Sequence, residues 1–163
     1  MNMIPYGRQQ VTEEDKRVII DVLNSDFLTQ GPKVSQFESV IKERLECEFA
    51  IALNSATSAL HLGCEALKLG KGDYLWTSPT TFVASANCGK YCSAEVDFVD
   101  IDTETGLISC DKLEKKLEES KRTGKLPKIV VPVHLAGNPC DMKRIKSLGE
   151  KYKFRIIEDA SHA

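Results

Sequence analysis

The chain has 163 residues, 42% hydrophobic and 28% charged, long enough for one domain with a core of its own. Lys+Arg 22 against Asp+Glu 24 leaves a formal net charge of −2, so no field favours nucleic acid or an anionic membrane as a partner. No apolar run approaches the ~20 residues of a membrane helix, and polar residues and Pro5 follow Met1 where a signal peptide would be apolar; no membrane association and a cytoplasmic setting are expected.

In chain order, Thr12-Glu13-Glu14-Asp15 reads as a capping box before a helix carrying Val18, Ile19, Val22 and Leu23. Gly31-Pro32 ends the following loop and starts a second helix, Val34 to Leu45, with Val34, Phe37, Ile41 and Leu45 on one stripe. Phe49 to Leu53 reads as a buried strand, followed by a helix from 55 to about 69. Tyr74 to Thr77 is the next expected strand, and Ser78 to Thr81 closes it and caps a helix over Phe82 to Tyr91. A strand over 95–99, a helix over 112–120 capped by Asp111, a strand over 128–134, a helix over 142–152 capped by Asp141 and a strand over 154–159 complete the pattern. Alternating strands and helices with short β-branched runs imply an α/β fold around a mostly parallel sheet buried on both faces. The last strand is followed by no covering helix, so the chain is expected to be a portion of a longer protein.

The six cysteines form no C-x-x-C pair, and scattered thiols fit a reducing compartment. Cys88 and Cys92, four apart in an expected helix, share a face as small buried hydrophobes; the alternative is a regulatory disulfide or a metal site.

Ligands of open α/β sheets gather beyond the carboxyl ends of the strands. Four such ends bear chemistry: Ser55 to Ser58, Thr80-Thr81-Phe82, His134, and Asp159 to His162. The start of the helix at 55 offers unpaired amides and small side chains for a phosphate, with Thr57 as an added donor. Phe82 offers an aromatic face, and a carboxylate at Asp159 would keep a pyridine nitrogen protonated. Each residue alone has an ordinary structural role, as a cap, a core aromatic or a satisfied histidine. Together they suit a flat, phosphorylated, nitrogen-containing ring such as pyridoxal 5'-phosphate. A nucleotide-dependent enzyme on a doubly wound sheet would need a glycine fingerprint or a P-loop, and Gly70-Lys71-Gly72-Asp73 is neither.

Five ordered motifs carry a resemblance: Asn-Ser-Ala-Thr-Ser-Ala-Leu at 54–60, Ser-Pro-Thr-Thr-Phe-Val-Ala-Ser-Ala-Asn at 78–87, Val-Asp-Ile-Asp at 99–102, Val-Pro-Val-His-Leu-Ala-Gly at 131–137 and Glu-Asp-Ala-Ser-His-Ala at 158–163. They resemble the DegT/DnrJ/EryC1/StrS sugar aminotransferases, fold-type I pyridoxal-phosphate enzymes. The resemblance implies a three-layer large domain truncated before the catalytic lysine. Residues 1–33 would be an N-terminal helix and substrate loop, and 34–163 the first part of the cofactor-binding domain, the rest of that domain and a small C-terminal domain being absent. It implies Ala56 and Thr57 on the cofactor phosphate, Phe82 stacked on the ring, Asp159 at the ring nitrogen and His162 near the phenolic oxygen.

Residues 4–8 and 26–33 resemble the pseudaminic-acid pathway members in particular. Those enzymes transfer an amino group from glutamate to C4 of a UDP-linked 4-keto-6-deoxy-N-acetylhexosamine, giving UDP-4-amino-4,6-dideoxy-N-acetyl-β-L-altrosamine. Tyr6 and Thr29 are then candidate substrate contacts, and a homodimer is implied. The catalytic lysine is expected in a Ser-Phe-His-containing motif beyond residue 163, with a second phosphate-binding serine. Lys143 and Lys146 precede Asp159 on an amphipathic helix and read as solvated, so no catalytic residue is assigned and the chain alone is expected to be inactive. The alternative is a non-catalytic module that binds pyridoxal phosphate or a sugar nucleotide.

Overall fold

The computed structural model describes residues 7–163, which divide into two compact units, one ending at Ala52 and one running from Leu53 to Ala163. Tyr6 lies outside the described residues.

The first unit contains α1 (Glu13–Leu23) and α2 (Pro32–Leu45). The expected capping box is present: Thr12 Oγ1 accepts from the Asp15 amide at 3.2 Å, and the Asp15 carboxylate accepts from the Thr12 amide at 2.7 Å. Pro32 opens α2, where its missing N–H costs nothing. The boundary expected after residue 33 falls inside this helix. None of the described residues of the unit is buried, and both apolar stripes, including Ile19, Leu23, Phe37 and Leu45, face outward. The strand expected over 49–53 does not form: Phe49 and Ile51 are exposed, and the Ala52 amide donates to Glu38 Oε1 of α2 at 2.8 Å. An apolar run becomes a strand only where a neighbour offers a ladder, and here a carboxylate takes the amide instead.

The second unit is a three-layer α/β sandwich. Its four strands, β1 (Tyr74–Thr77), β2 (Glu95–Phe98), β3 (Ile129–Val131) and β4 (Arg155–Ile156), are all parallel in the order β2-β1-β3-β4. Its helices are α3 (Ala56–Ala66), α4 (Ala84–Tyr91), α5 (Cys110–Thr123) and α6 (Met142–Tyr152). Alternation along the central strands assigns the faces. Leu75, Ile129 and Val131 pack with Leu60, Cys64, Ala84 and Cys88 of α3 and α4, while Trp76 and Val130 pack with Leu113, Leu117, Ile145 and Leu148 of α5 and α6. The Trp76 indole N–H is buried without a hydrogen-bond partner among the described residues, and the Lys116 ammonium stands 4.9 Å from its ring centroid.

Several boundaries differ from the sequence reading. The helix after Ser55 stops at Ala66, short of 69. α4 starts at Ala84 with Val83, which has no polar side chain, in the cap position, and the Thr81 hydroxyl lies 2.9 Å from that of Ser85. α5 is capped by Ser109, not Asp111, which sits in the first turn and pairs with Arg144 at 2.6 Å. Asp141 caps α6 as expected, accepting from the Arg144 amide at 3.1 Å. β3 and β4 are shorter than expected, although a parallel bridge between Val133 and Asp159 continues their pairing.

Among the helical glycines the tightest approach to the sheet is at Gly89, where an added Cβ would stand 2.9 Å from Val96 Cγ2 and 3.1 Å from Leu75 Cβ. Alanine in place of a helical glycine gains about 1 kcal/mol of propensity, whereas overpacking a tight site costs about 1–3 kcal/mol. The overlap with two stiff strand residues wins. Gly89→Ala is expected to lower the unfolding free energy by on the order of 1 kcal/mol in urea titrations. Gly63→Ala, which meets only the end of the Ile157 side chain at 3.3 Å, should cost less.

Candidate functional site

Because every strand is parallel, the carboxyl ends fall on one edge of the sheet, and there Ala56, Thr57, Phe82, Asp159 and His162 line one cavity of about 230 Å³ together with Thr81, Ser161 and His134. All five cofactor-contact candidates inside this unit are thus brought together. Lys143 and Lys146 are exposed on α6 as expected, and no described lysine lines the cavity. Thr29 belongs to the other unit, on the exposed loop between α1 and α2.

The start of α3 presents unpaired donors. Ser55 Oγ accepts from the Ser58 amide at 3.2 Å, and the Ser55 carbonyl accepts from the Ala59 amide at 3.1 Å. The amides of Ala56 and Thr57 are left without a protein acceptor among the described residues. Two free amides and the positive end of an 11-residue helix favour an anion there. Phe82 is 72% exposed, so the expectation that weighed a core role against a stacking role resolves away from the core.

Asp159 is only 6% exposed, and its carboxylate is held from two sides. Oδ1 accepts from the Ser161 amide at 3.2 Å and the Ser161 hydroxyl at 2.6 Å; Oδ2 accepts from the Ser85 hydroxyl at 2.7 Å. Ser85 Oγ also stands 3.2 Å from the Phe82 carbonyl, but it has one proton, and the shorter contact to a charged acceptor takes it. The Thr81 hydroxyl then donates to Ser85. A carboxylate has about four acceptor positions, so these three donors leave capacity toward the cavity.

His134 is 7% exposed and structurally engaged. Its Nδ1 accepts from the Cys140 amide at 3.1 Å, which requires the proton on Nε2, 3.1 Å from Glu158 Oε2. It pins the loop at Leu135–Gly137, where Ala136 adopts a left-handed φ of 54°, against the end of the last strand. His162 lines the cavity from the exposed segment after Asp159.

The family model described as the DegT/DnrJ/EryC1/StrS aminotransferase family matches residues 9–163. The chain belongs to that family. MJ1066, an uncharacterised protein of Methanocaldococcus jannaschii, is 40% identical over 162 residues, which are 99% of this chain and 40% of MJ1066. The solved structure of Spr1654 from Streptococcus pneumoniae in its PLP form superposes with a TM-score of 0.88 at 29% identity, covering 98% of this chain and 43% of that one. Helicobacter pylori PseC, an aminotransferase involved in the biosynthesis of pseudoaminic acid, superposes with a TM-score of 0.86 at 30% identity, covering 95% and 40%. The chain therefore spans about two fifths of the length of these relatives.

In this aminotransferase-family chain, sequence reasoning missed Ser85 and Ser161. Both lie inside quoted motifs, and Ser85 sits in the first turn of α4, three positions after Phe82, but only the fold shows that it reaches Asp159 across 74 positions of sequence. Ser85→Ala removes one donor from a buried carboxylate and is expected to cost about 1–3 kcal/mol, read as a lowered thermal midpoint. Ser85→Thr, which keeps the hydroxyl, should recover part of the loss.

Proposed function

We propose that the cavity is the pyridoxal 5'-phosphate site of a sugar-nucleotide aminotransferase. The observation that carries this reading is the convergence of two unpaired helix-start amides, an exposed aromatic face and a buried, doubly held carboxylate on one 230 Å³ cavity. That volume is below the roughly 300–1,000 Å³ of sites enclosing a drug-sized ligand, so it fits one small flat group, with a sugar nucleotide lying outside it. The amides of Ala56 and Thr57, with the Thr57 hydroxyl, would hold the phosphate. Phe82 would cover the ring, and Asp159 would hold a proton on the ring nitrogen. When bound, the protonated ring supplies an electron sink for proton loss from the amine-bearing carbon. Ser85 and Ser161 keep the Asp159 carboxylate oriented, and His134 fixes the adjoining loop. His162, which lines the same cavity, would lie near the phenolic oxygen, as the motif resemblance implies.

For the complete protein we infer transfer of an amino group from glutamate to C4 of a UDP-linked 4-keto-6-deoxy-N-acetylhexosamine. Support comes from the similarity to PseC and from the motif at 26–33, where Thr29, like Tyr6, is a candidate substrate contact. A homodimer belongs to the same proposal by family resemblance, and a cytoplasmic setting rests on six cysteines with no C-x-x-C pair. Since no described lysine lines the cavity, the second reading, binding without turnover by this chain alone, is kept for the chain itself.

The test is an absorbance titration of the chain with pyridoxal phosphate, followed by borohydride reduction and peptide mapping. Reversible binding with no stoichiometrically labelled lysine is expected. Asp159→Asn should weaken binding about 10–100-fold, the equivalent of a charged hydrogen bond. Equal affinity in that variant would overturn the assignment of Asp159. For the complete protein, glutamate-dependent amination of other keto sugars but not of the UDP-linked 4-keto sugar would overturn the substrate.

A further inference from the structure

The C-terminal half of α3 and the end of α4, the two helices that frame the cavity, hold a second cluster of chemically active side chains. His61 and Glu65 stand four residues apart on α3, with Nε2 and Oε1 separated by 3.6 Å. Cys92, the residue that ends α4, brings its sulfur to them, and the three ligand atoms all lie within 4.8 Å of one another. None of these residues lines the cavity. At a rise of about 1.5 Å per residue, Glu65 lies roughly 13 Å along α3 from Ala56.

We propose that His61, Glu65 and Cys92 form a site for a zinc-class divalent cation that clamps the end of α3 to the end of α4. An imidazole, a carboxylate and a sulfur are the donors that zinc accepts, with bonds of about 2.0–2.3 Å, and the sulfur argues against magnesium and calcium, which take oxygen. Ligand atoms around such an ion stand roughly 3.3–3.7 Å apart in a tetrahedron. The His61–Glu65 pair already meets this spacing, and at most about 1 Å of closure onto Cys92 is required. The mobile and fixed partners are suitably divided. Cys92 is 7% exposed and anchored at a helix end, whereas the side chains of His61 and Glu65 are 38% and 57% exposed and free to swing inward. The Tyr91 ring, with its centroid 5.2 Å from that of His61, limits the imidazole on one side. Behind the site lie two more thiols, Cys64 and Cys88, both fully buried in the same apolar cluster as Cys92. Three protein ligands leave a fourth position for water on the exposed side.

Metal binding replaces the Cys92 S–H bond with a metal–sulfur bond and releases that proton to solvent, with no change in oxidation state. The consequence for the fold is mechanical. α3 and α4 each start at the cavity, so a bond between their far ends fixes the separation of the Ala56–Thr57 amides from Phe82.

The experiment is a titration of the purified, chelator-treated protein with Co²⁺ as a spectroscopic probe, followed by displacement with Zn²⁺. One equivalent of Co²⁺ with a thiolate-to-metal charge-transfer band, bleached by Zn²⁺, is expected. Cys92→Ser should abolish the band. His61→Ala should weaken binding by about 10–100-fold or more, since losing even a hydrogen bond that supports a metal ligand has that effect. Binding without a thiolate band, or a band that survives Cys92→Ser, overturns the site. Should Cys92→Ser fail to fold by circular dichroism, the partly exposed positions decide: unchanged affinity in both His61→Ala and Glu65→Gln also overturns it.

Discussion

A carboxylate taken out of water must be supplied with hydrogen bonds by the protein around it, and the candidate site depends on how Asp159 meets that requirement. The Ser85 hydroxyl reaches it from α4, the Ser161 amide and hydroxyl reach it from the turn that follows, and its own backbone is paired with Pro132 and His134. Each contact holds a different element: α4, the chain after the last strand, and the chain after β3. Their shared partner, Asp159, makes the edge of the sheet one connected unit. An apolar residue at 159 would leave the two serines without their acceptor as well as removing a charge.

The sheet sets the stage for that contact. A parallel sheet with two covered faces places all its strand ends on one side, and the intervening helices all start there. A phosphate-sized anion needs amides at a helix start, a ring needs a flat cover, and a ring nitrogen needs a carboxylate. The topology delivers the three from segments as distant as 56 and 159 without any of them having to be adjacent in sequence. His134 shows the complementary case. An imidazole at a strand end can serve a ligand or simply be satisfied by the protein, and here its two nitrogens are both engaged, one by the Cys140 amide and one by Glu158. Its role is to hold a loop.

What was legible in the sequence had local causes. The Thr12 capping box, the Asp141 cap and the alternation through β1 and β3 involve groups within a few positions of each other, and the motifs at 54–60, 78–87 and 158–163 kept their order. What was not legible depended on partners. Phe49 to Leu53 has the apolar pattern of a strand, but a strand exists only as one member of a ladder, and that segment has none among the described residues. Asp111 has the chemistry of a cap and is instead drawn to Arg144, while Ser109 does the capping. Ser85 resembles any small residue on a helix until the end of the last strand is placed beside it.

The chain has a single tryptophan, and it lies wholly within the sheet-bearing unit. Trp76 sits in apolar surroundings, with its indole N–H unmatched among the described residues and the Lys116 ammonium over its ring. Its fluorescence is therefore an internal reporter with a restricted field of view. Emission shifts to the red when water reaches β1, which happens when α5 and α6 leave the sheet. α1 and α2, whose described residues include no tryptophan, contribute to far-ultraviolet dichroism and supply no fluorophore of their own to that signal. Comparing the two signals along one denaturation curve separates loss of the packing around β1 from loss of helix in the chain as a whole.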